Sequence, residues 1–495
     1  MHIIIETPTK AYLTNYAQSD IQSLKNQFDY SNTSIAFLLK KHHQKQWLKD
    51  RDFDQWQDQL RDLERQLNST LVEKDDRGYW IRPGLISYIH GINYTVTNKV
   101  NYPEVKPIPW TKKLEFEPYD YQRESVENLI NIKHGNISLC TGAGKTACLL
   151  MVARNMGLDA VIVTPSQSIF RELLEVFTKY LGKGTVGGYG DGLKDLKKRF
   201  TVTIAKSLTT LKPGTDSYDF FYNKKVLLYD EAHCTASATL EDCCHGVLGN
   251  IPYRFFCTAT IARGDGSINL LKSIVGHTVQ DLTIGDAIEG GYLCPLNFKI
   301  ISVVSPSTRY KKDPIECKRE HLLYNKNVAE MCAKIANASW KLKQESTLIL
   351  VEELYQISML KDILTVPFTY AHAGSKAEAE KWGLTKVNIQ DEIERFNNGE
   401  VKVLVGTRCL ATGTNIFGMS VTLNWVGGSS EVVTKQGSMG RSTRKIELSK
   451  YAKFHKAISS RTIYDFDIKD QPILQNQLKT RIKFYKEANG TIEFF

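Results

Sequence analysis

The feature that most constrains this chain is a short stretch, Thr141-Gly142-Ala143-Gly144-Lys145-Thr146, set between the apolar run Ile137-Ser138-Leu139-Cys140 and a helix-forming run over 147–154. A glycine-rich turn that joins a strand to a helix is where a parallel α/β layer meets phosphate. Glycines let the backbone approach and aim its N–H groups at the anion, and the helix N-terminus adds a favourable potential. In that frame Thr141, Gly142, Ala143 and Gly144 line the cradle, Lys145 reaches the β- and γ-phosphates, and the Thr146 hydroxyl ligands Mg²⁺. Leu139 stands where the first glycine of the full consensus is usual. A glycine-rich turn without nucleotide is the plain alternative, and Gly-Lys-Thr in a strand-loop-helix context weighs against it.

The surrounding sequence supplies the layers that such a loop needs. From about residue 136, short apolar β-branched runs alternate with helical stretches, the pattern of parallel α/β units. Ile137-Ser138-Leu139-Cys140, Ala160-Val161-Ile162-Val163, Val202-Thr203-Ile204-Ala205, Val226-Leu227-Leu228-Tyr229 and Arg254-Phe255-Phe256-Cys257 form a first series, each ending at a loop with polar or glycine residues. A second series follows Pro295: Phe298-Lys299-Ile300-Ile301, Leu348-Ile349-Leu350-Val351, Val401-Lys402-Val403-Leu404-Val405 and Val421-Thr422-Leu423-Asn424-Trp425. Residues 285–295, with Gly290-Gly291 and Pro295, punctuate the chain between the two. Before Trp110 the character differs, with a strand-like start and a long charged amphipathic stretch over 35–67, and Pro103, Pro107 and Pro109 mark the exit. The expected organisation is an accessory domain over 1–110 with a possible DNA grip, sheet domains over 111–290 and 291–470, and a basic tail over 471–495.

Asp230-Glu231-Ala232-His233 ends the run Val226 to Tyr229, so two carboxylates emerge at the carboxyl edge of a sheet strand, where open α/β sheets bind ligands. Asp230 is placed to hold Mg²⁺, and Glu231 to position or deprotonate the attacking water. Four such residues alone recur by chance; a phosphate loop upstream makes them specific. Together they resemble the first motor domain of superfamily two helicases, for which Asp-Glu-Ala-His is one form of the second motif. The resemblance covers roughly residues 119–466. It implies an α/β fold with two tandem RecA-like parallel-sheet motor domains preceded by a small α+β N-terminal domain, and ATP with Mg²⁺ as cofactors.

It also implies residue roles. Tyr121-Gln122-Arg123 resembles the adenine-recognising glutamine motif, making Gln122 a base reader. Thr164-Pro165 and Lys206 lie in loops resembling those that track a nucleic-acid strand. Thr258-Ala259-Thr260 resembles the motif coupling hydrolysis to motion, with His233 as a further coupling residue. In the second domain, Gly406-Thr407-Arg408 through Asn415 resembles the fifth motif, in which Thr407 faces nucleic acid and Gly413 approaches nucleotide, although the usual glutamate before that glycine and aspartate at position 415 are absent. Gly440-Arg441-Ser442-Thr443-Arg444 resembles the sixth, whose arginines reach the γ-phosphate and stabilise charge on the transferred group. Gln436 lies one residue further from Gly440 than the family's pattern places it. A basic surface turn is the plain reading of the arginines, and ordinary caps that of the hydroxyl-rich loops.

The small N-terminal domain, the loop over 260–266 and the Thr-Gly-containing fifth motif look most like phage branch-migration helicases of the UvsW type. That likeness implies ATP-dependent unwinding or remodelling of forked, branched or single-stranded DNA in recombination, repair and replication, with an RNA helicase, a duplex translocase that never separates strands, and an ATP-gated binding protein as rivals. Composition agrees with a nucleic-acid partner. The formal charge is +10, and from Glu431 onward 13 Lys/Arg face 7 Asp/Glu. Lys479, Arg481, Lys483, Tyr485 and Lys486 mix cations with an aromatic there, which reads as a binding surface or as a solvated helix. Trp47, Trp56, Tyr79 and Trp80 read as core or as a grip on DNA. No run approaches the roughly 18 apolar residues of a membrane span. The opening residues read as a strand rather than a signal peptide, and ten cysteines scattered in core-like runs suit reduced thiols, so a cytoplasmic protein is expected, in the host cytoplasm if viral. Cys234, Cys243, Cys244 and His245 fit no standard zinc spacing. Glu73-Lys74 lacks the acidic context of a nuclease, which argues against a restriction subunit.

Overall fold

The computed structural model describes residues 1–31, 33–44, 46–235, 237–259, 268–307, 313–410, 416–430, 433–445, 451–455 and 458–495. The chain divides into two compact units, Met1–Leu139 with Gly144–Asp281, and Cys140–Ala143 with Leu282–Phe495. Among the described residues no helix is long and apolar enough to cross a membrane.

The first unit holds two sheets. The N-terminal one runs in the order Glu73–Asp75, Gly78–Ile81, Lys10–Thr14, His2–Thr7, Thr95–Asn98, antiparallel except for the last pair. Period-two patterning sets its inner face, where Ile3, Ala11, Leu13 and Ile81 are buried. The charged stretch that follows folds as the helices Thr33–His43, Gln46–Arg51 and Phe53–Leu67. Trp56 is part of their small core, stacked on the His42 ring at 5.3 Å with Nε1 donating to the His42 carbonyl at 3.3 Å. Trp80 lies beneath the Lys10 ammonium, 4.3 Å from its ring centre, and that ammonium is paired with Asp75 at 2.7 Å.

This N-terminal layer is continuous with the larger sheet. One hydrophobic cluster contains Ile3, Leu13, Ile81 and Leu85 together with Val161, Leu227, Leu270 and Ile274. Polar contacts reinforce it: Arg82 pairs with Glu241 and donates to Ser273 Oγ at 3.2 Å, Tyr88 donates to the Gly276 carbonyl at 3.0 Å, and Asn269 donates to the Gln27 and Asp29 carbonyls.

The larger sheet has the order Leu193–Lys194, Val186–Gly190, Phe200–Ile204, Ala160–Thr164, Val226–Asp230, Tyr253–Thr258, His134–Leu139, His277–Leu282. From Val186–Gly190 to His134–Leu139 every pairing is parallel. Its five central strands are those expected from the apolar runs, buried on both faces as parallel strands are. Val186–Gly190 adds a further strand, on which a side chain at Gly188 would stand 3.0 Å from the Phe170 ring of the covering helix Gln167–Leu181.

The second unit carries a sheet ordered Phe368–Ala371, Val403–Gly406, Thr347–Leu350, Val421–Asn424, Arg461–Ile468, Leu296–Val303, Thr491–Phe494, parallel throughout. The basic tail corrects the binding-surface reading of two of its residues. The helix Pro472–Glu487 packs through Leu474, Leu478, Arg481 and Tyr485, and residues Thr491–Phe494 add a strand to the sheet. Arg481 and Tyr485 are buried because Asp465 recruits both: Arg481 donates through Nε at 2.6 Å and Nη2 at 3.0 Å, and the Tyr485 hydroxyl donates at 2.7 Å. Lys479, Lys483 and Lys486 remain on the exposed face.

Removing one member of a fully buried, bidentate pair leaves an uncompensated charge. Asp465→Ala should destabilise the second unit by about 3–5 kcal/mol, against little for Lys483→Ala on the exposed face, read as the shift in its denaturant midpoint.

Candidate functional site

The strand His134–Leu139 delivers the loop to the N-terminus of the helix Lys145–Met156, entered through Gly144 at φ +84° after Gly142 at φ +92°. These left-handed conformations are what glycine supplies. A Cβ on Gly144 would lie 2.3 Å from Gln122 Nε2, so the Gln122 amide sits directly against the loop. Gln122 is buried and anchored, its Oε1 accepting the Tyr119 N–H at 3.0 Å at the start of the helix Asp120–Ile132. The Tyr119 and Tyr121 rings stack at 5.8 Å beside it, an aromatic surface that sequence reasoning passed over.

Lys145 is buried. Its ammonium donates to the Leu139 carbonyl at 3.2 Å and pairs with Glu231 Oε1 at 3.1 Å. Glu231 follows the strand Val226–Asp230 with φ +49°, rare for a residue with a side chain, and a 3₁₀ turn Ala232–Cys234 follows it. That bend turns the other carboxylate oxygen, Oε2, to 3.4 Å from His233 Nδ1, and the same ring nitrogen lies 2.6 Å from Thr258 Oγ1. Lys145, Glu231, His233 and Thr258 therefore form one connected line. Register explains it: Thr258 pairs with Ser138 on one side of its strand, and Asp230 pairs with Cys257 on the other. Thr260 lies outside the described residues.

Asp230 is buried at the strand end. Desolvation, then the neighbouring Glu231 carboxylate, push its pKa well above the usual carboxylate range, opposed by Lys145. Its Oδ1 accepts no hydrogen bond among the described residues. A buried carboxylate oxygen left so is suited to a cation, and Thr146 stands half-buried in the first turn of the nearby helix. This is the donor set that a nucleotide-bound Mg²⁺ fits.

On the same edge, Thr164 ends the strand Ala160–Thr164 with its hydroxyl buried and unpartnered among the described residues. Pro165 is half-buried, and Lys206 projects exposed from the short helix Ala205–Leu208 on the adjacent strand. In the second unit, Thr407 follows the strand Val403–Gly406, held by its N–H donating to the Ala371 carbonyl at 3.1 Å. Gly413 lies outside the described residues. Arg441 is buried in the helical turn Gly440–Ser442, braced by Ser442 and Thr422 hydroxyls 2.7 Å apart, and the Arg444 guanidinium lies over the Phe417 ring at 5.6 Å. The zinc set is not assembled: Cys243 and Cys244 are fully buried while Cys234 is exposed.

Residues 115–263 match the family described as "Type III restriction enzyme, res subunit", a span that runs from before Gln122 through Thr258. The DNA 3'-5' translocase XPB2 of Sulfurisphaera tokodaii is 25% identical over 343 residues, 63% of this chain and 74% of that protein. The motifs from Gln122 to Thr258 resemble those of superfamily two helicases. A solved structure agrees on the fold: a fragment of an HsdR subunit of a type I restriction enzyme from Vibrio vulnificus YJ016 aligns over 76% of this chain and 68% of its own length, at TM-score 0.53 and 17% identity. T4 UvsW aligns over 100% of the chain and 99% of its own, at TM-score 0.44 and 14% identity.

Gly144→Ala would place a side chain at positive φ, costing about 1–2 kcal/mol, and displace the Gln122 amide. The expected result is a folded protein whose affinity for a non-hydrolysable ATP analogue falls by about tenfold, with an unchanged far-ultraviolet circular dichroism spectrum; calorimetric titration reads it.

Proposed function

We propose that the chain is an ATP-dependent DNA helicase or translocase that remodels forked and branched DNA, as in branch migration during recombination, repair and replication. The observation that carries the motor part is the line Lys145–Glu231–His233–Thr258, which ties a phosphate-facing cation to a second strand end through a carboxylate and an imidazole. The DNA part is supported by a relative described as a DNA 3'-5' translocase. The small N-terminal layer ahead of the motor sheets supports the branched substrate, being the arrangement that resembles branch-migration helicases.

ATP would be held by Thr141, Gly142, Ala143, Gly144, Lys145 and Thr146 with Gln122 reading the base, and Mg²⁺ by Thr146 and Asp230. Bound, they supply the phosphoanhydride to be broken and the charge that neutralises it. Lys145 keeps a cation buried at the mouth of the loop, where low dielectric strengthens its pull on an anion. Once phosphate draws Lys145 away from Glu231, the Glu231 carboxylate is free to orient water and accept its proton. His233 stands 3.4 Å from the Glu231 carboxylate and is hydrogen-bonded to Thr258, so a shift in that carboxylate reaches the end of the strand Tyr253–Thr258 through the charge contact and that bond. Arg441 and Arg444 are assigned to the transferred phosphoryl charge, and Thr164, Pro165, Lys206 and Thr407 to the nucleic-acid backbone, through contacts that are sequence-independent and weaken with salt.

Steady-state ATPase measured without polynucleotide, and with single-stranded, duplex or forked DNA or RNA, tests this. Forked DNA should stimulate most, and Lys145→Ala and Glu231→Gln should each lower turnover by about 100-fold or more. Stimulation by RNA alone would overturn the DNA assignment, and absence of turnover would overturn the motor.

A further inference from the structure

The turn after the second carboxylate places a third donor type where the proposed motor does not need one. Cys234 is the one exposed thiol of the ten; eight are buried and Cys409 is half-buried. Its Sγ lies 3.3 Å from His233 Nε2. One donor atom from each of Glu231, His233 and Cys234 lies within 4.8 Å of the others. We infer that Glu231, His233 and Cys234 form a site for a thiophilic divalent cation such as Zn²⁺, and that its occupation arrests the motor.

The geometry is close to what such an ion asks. With Zn–S about 2.3 Å and Zn–N about 2.0–2.1 Å, tetrahedral sulfur and nitrogen ligands stand about 3.6 Å apart, near the separation already present. His233 is oriented for it. Nδ1 lies 2.6 Å from the Thr258 hydroxyl, and with the proton on that nitrogen the Nε2 lone pair faces Cys234. A histidine whose second nitrogen is held in this way is a prepared ligand. A Glu231 carboxylate oxygen completes the donor set within 4.8 Å, and Oε1 is already paired with Lys145. Binding releases the Cys234 thiol proton to solvent and changes no oxidation state. Three protein ligands leave a fourth position open to water, and Cys234 gives access from bulk solvent. Mg²⁺, which prefers oxygen ligands, does not compete for sulfur and imidazole.

The site resides in the segment that the proposed function assigns to water activation and coupling, and the inhibitory half of the inference rests on that reading. An ion shared by Glu231 and His233 takes the carboxylate out of proton transfer and fixes the imidazole that relays its position to Thr258.

The full chain, titrated with Cd²⁺, should show an ultraviolet thiolate-to-metal absorption at one equivalent that Cys234→Ser abolishes, a substitution that removes the soft ligand and touches no residue assigned to nucleotide. At fixed Mg²⁺, Zn²⁺ should inhibit DNA-stimulated ATPase, with reversal by a chelator followed by renewed Mg²⁺, and the inhibitory concentration should rise about tenfold or more in Cys234→Ser. An absorption band unchanged in Cys234→Ser, or inhibition equal in both proteins, would overturn the site. A band with undiminished turnover would overturn the inhibition. A chain that takes Cd²⁺ through Cys234 and never hydrolyses ATP would overturn the proposed function and leave the metal site standing.

Discussion

The parallel register of three neighbouring strands fixes where the charges of the candidate site stand. Tyr253–Thr258 lies between His134–Leu139 and Val226–Asp230, so the strand that feeds the phosphate loop, the strand that ends in two carboxylates and the strand that ends in Thr258 finish at one edge. Backbone hydrogen bonding, not side-chain attraction, does this positioning. A slip of one residue in either pairing would turn Asp230 or Thr258 to the opposite face and break the line through His233.

That placement concentrates charge at a cost the apolar sheet must offset. Lys145 and Asp230 are both buried, and each would be strained if neutral partners surrounded it. The Lys145–Glu231 pair and the left-handed turn at Glu231 hold the arrangement in a form in which cation and carboxylate satisfy each other. Under the proposed function a phosphate group would compete for the same ammonium, making ligand and ion pair alternatives.

Much of this was legible in the sequence because it depends on strand ends. Short, mostly apolar runs gave the five central strands of the first sheet, and the polar residues that follow them pointed to Lys145, Asp230, Glu231 and Thr258. The strand Arg461–Ile468 escaped that reading because Arg461, Asp465 and Asp467 interrupt its apolar pattern; two of the three charges are buried, Asp465 in order to hold Arg481 and Tyr485. Val186–Gly190 escaped because three of its five residues are glycine, which give no apolar β-branched pattern; a side chain at Gly188 would meet the Phe170 ring. Tyr119 and Cys234 were illegible for a different reason. Their significance lies in proximity, to Gln122 through a stacked ring and to His233 through the backbone bend at Glu231, and no spacing rule reports either.

The core shared by the N-terminal layer and the first motor sheet bears on how this chain can be dissected. Leu270 and Ile274 are sealed from water by Leu13, Ile81 and Leu85 together with the rest of that cluster. Cutting away residues 1–110 would bare them at about 25 cal/mol for each Å² of apolar surface exposed, so a truncated protein that loses activity would report a core laid open before it reported a missing DNA contact. The layer is in effect a fixed wall of the first unit, and point substitutions on its outer face are the way to question what it touches.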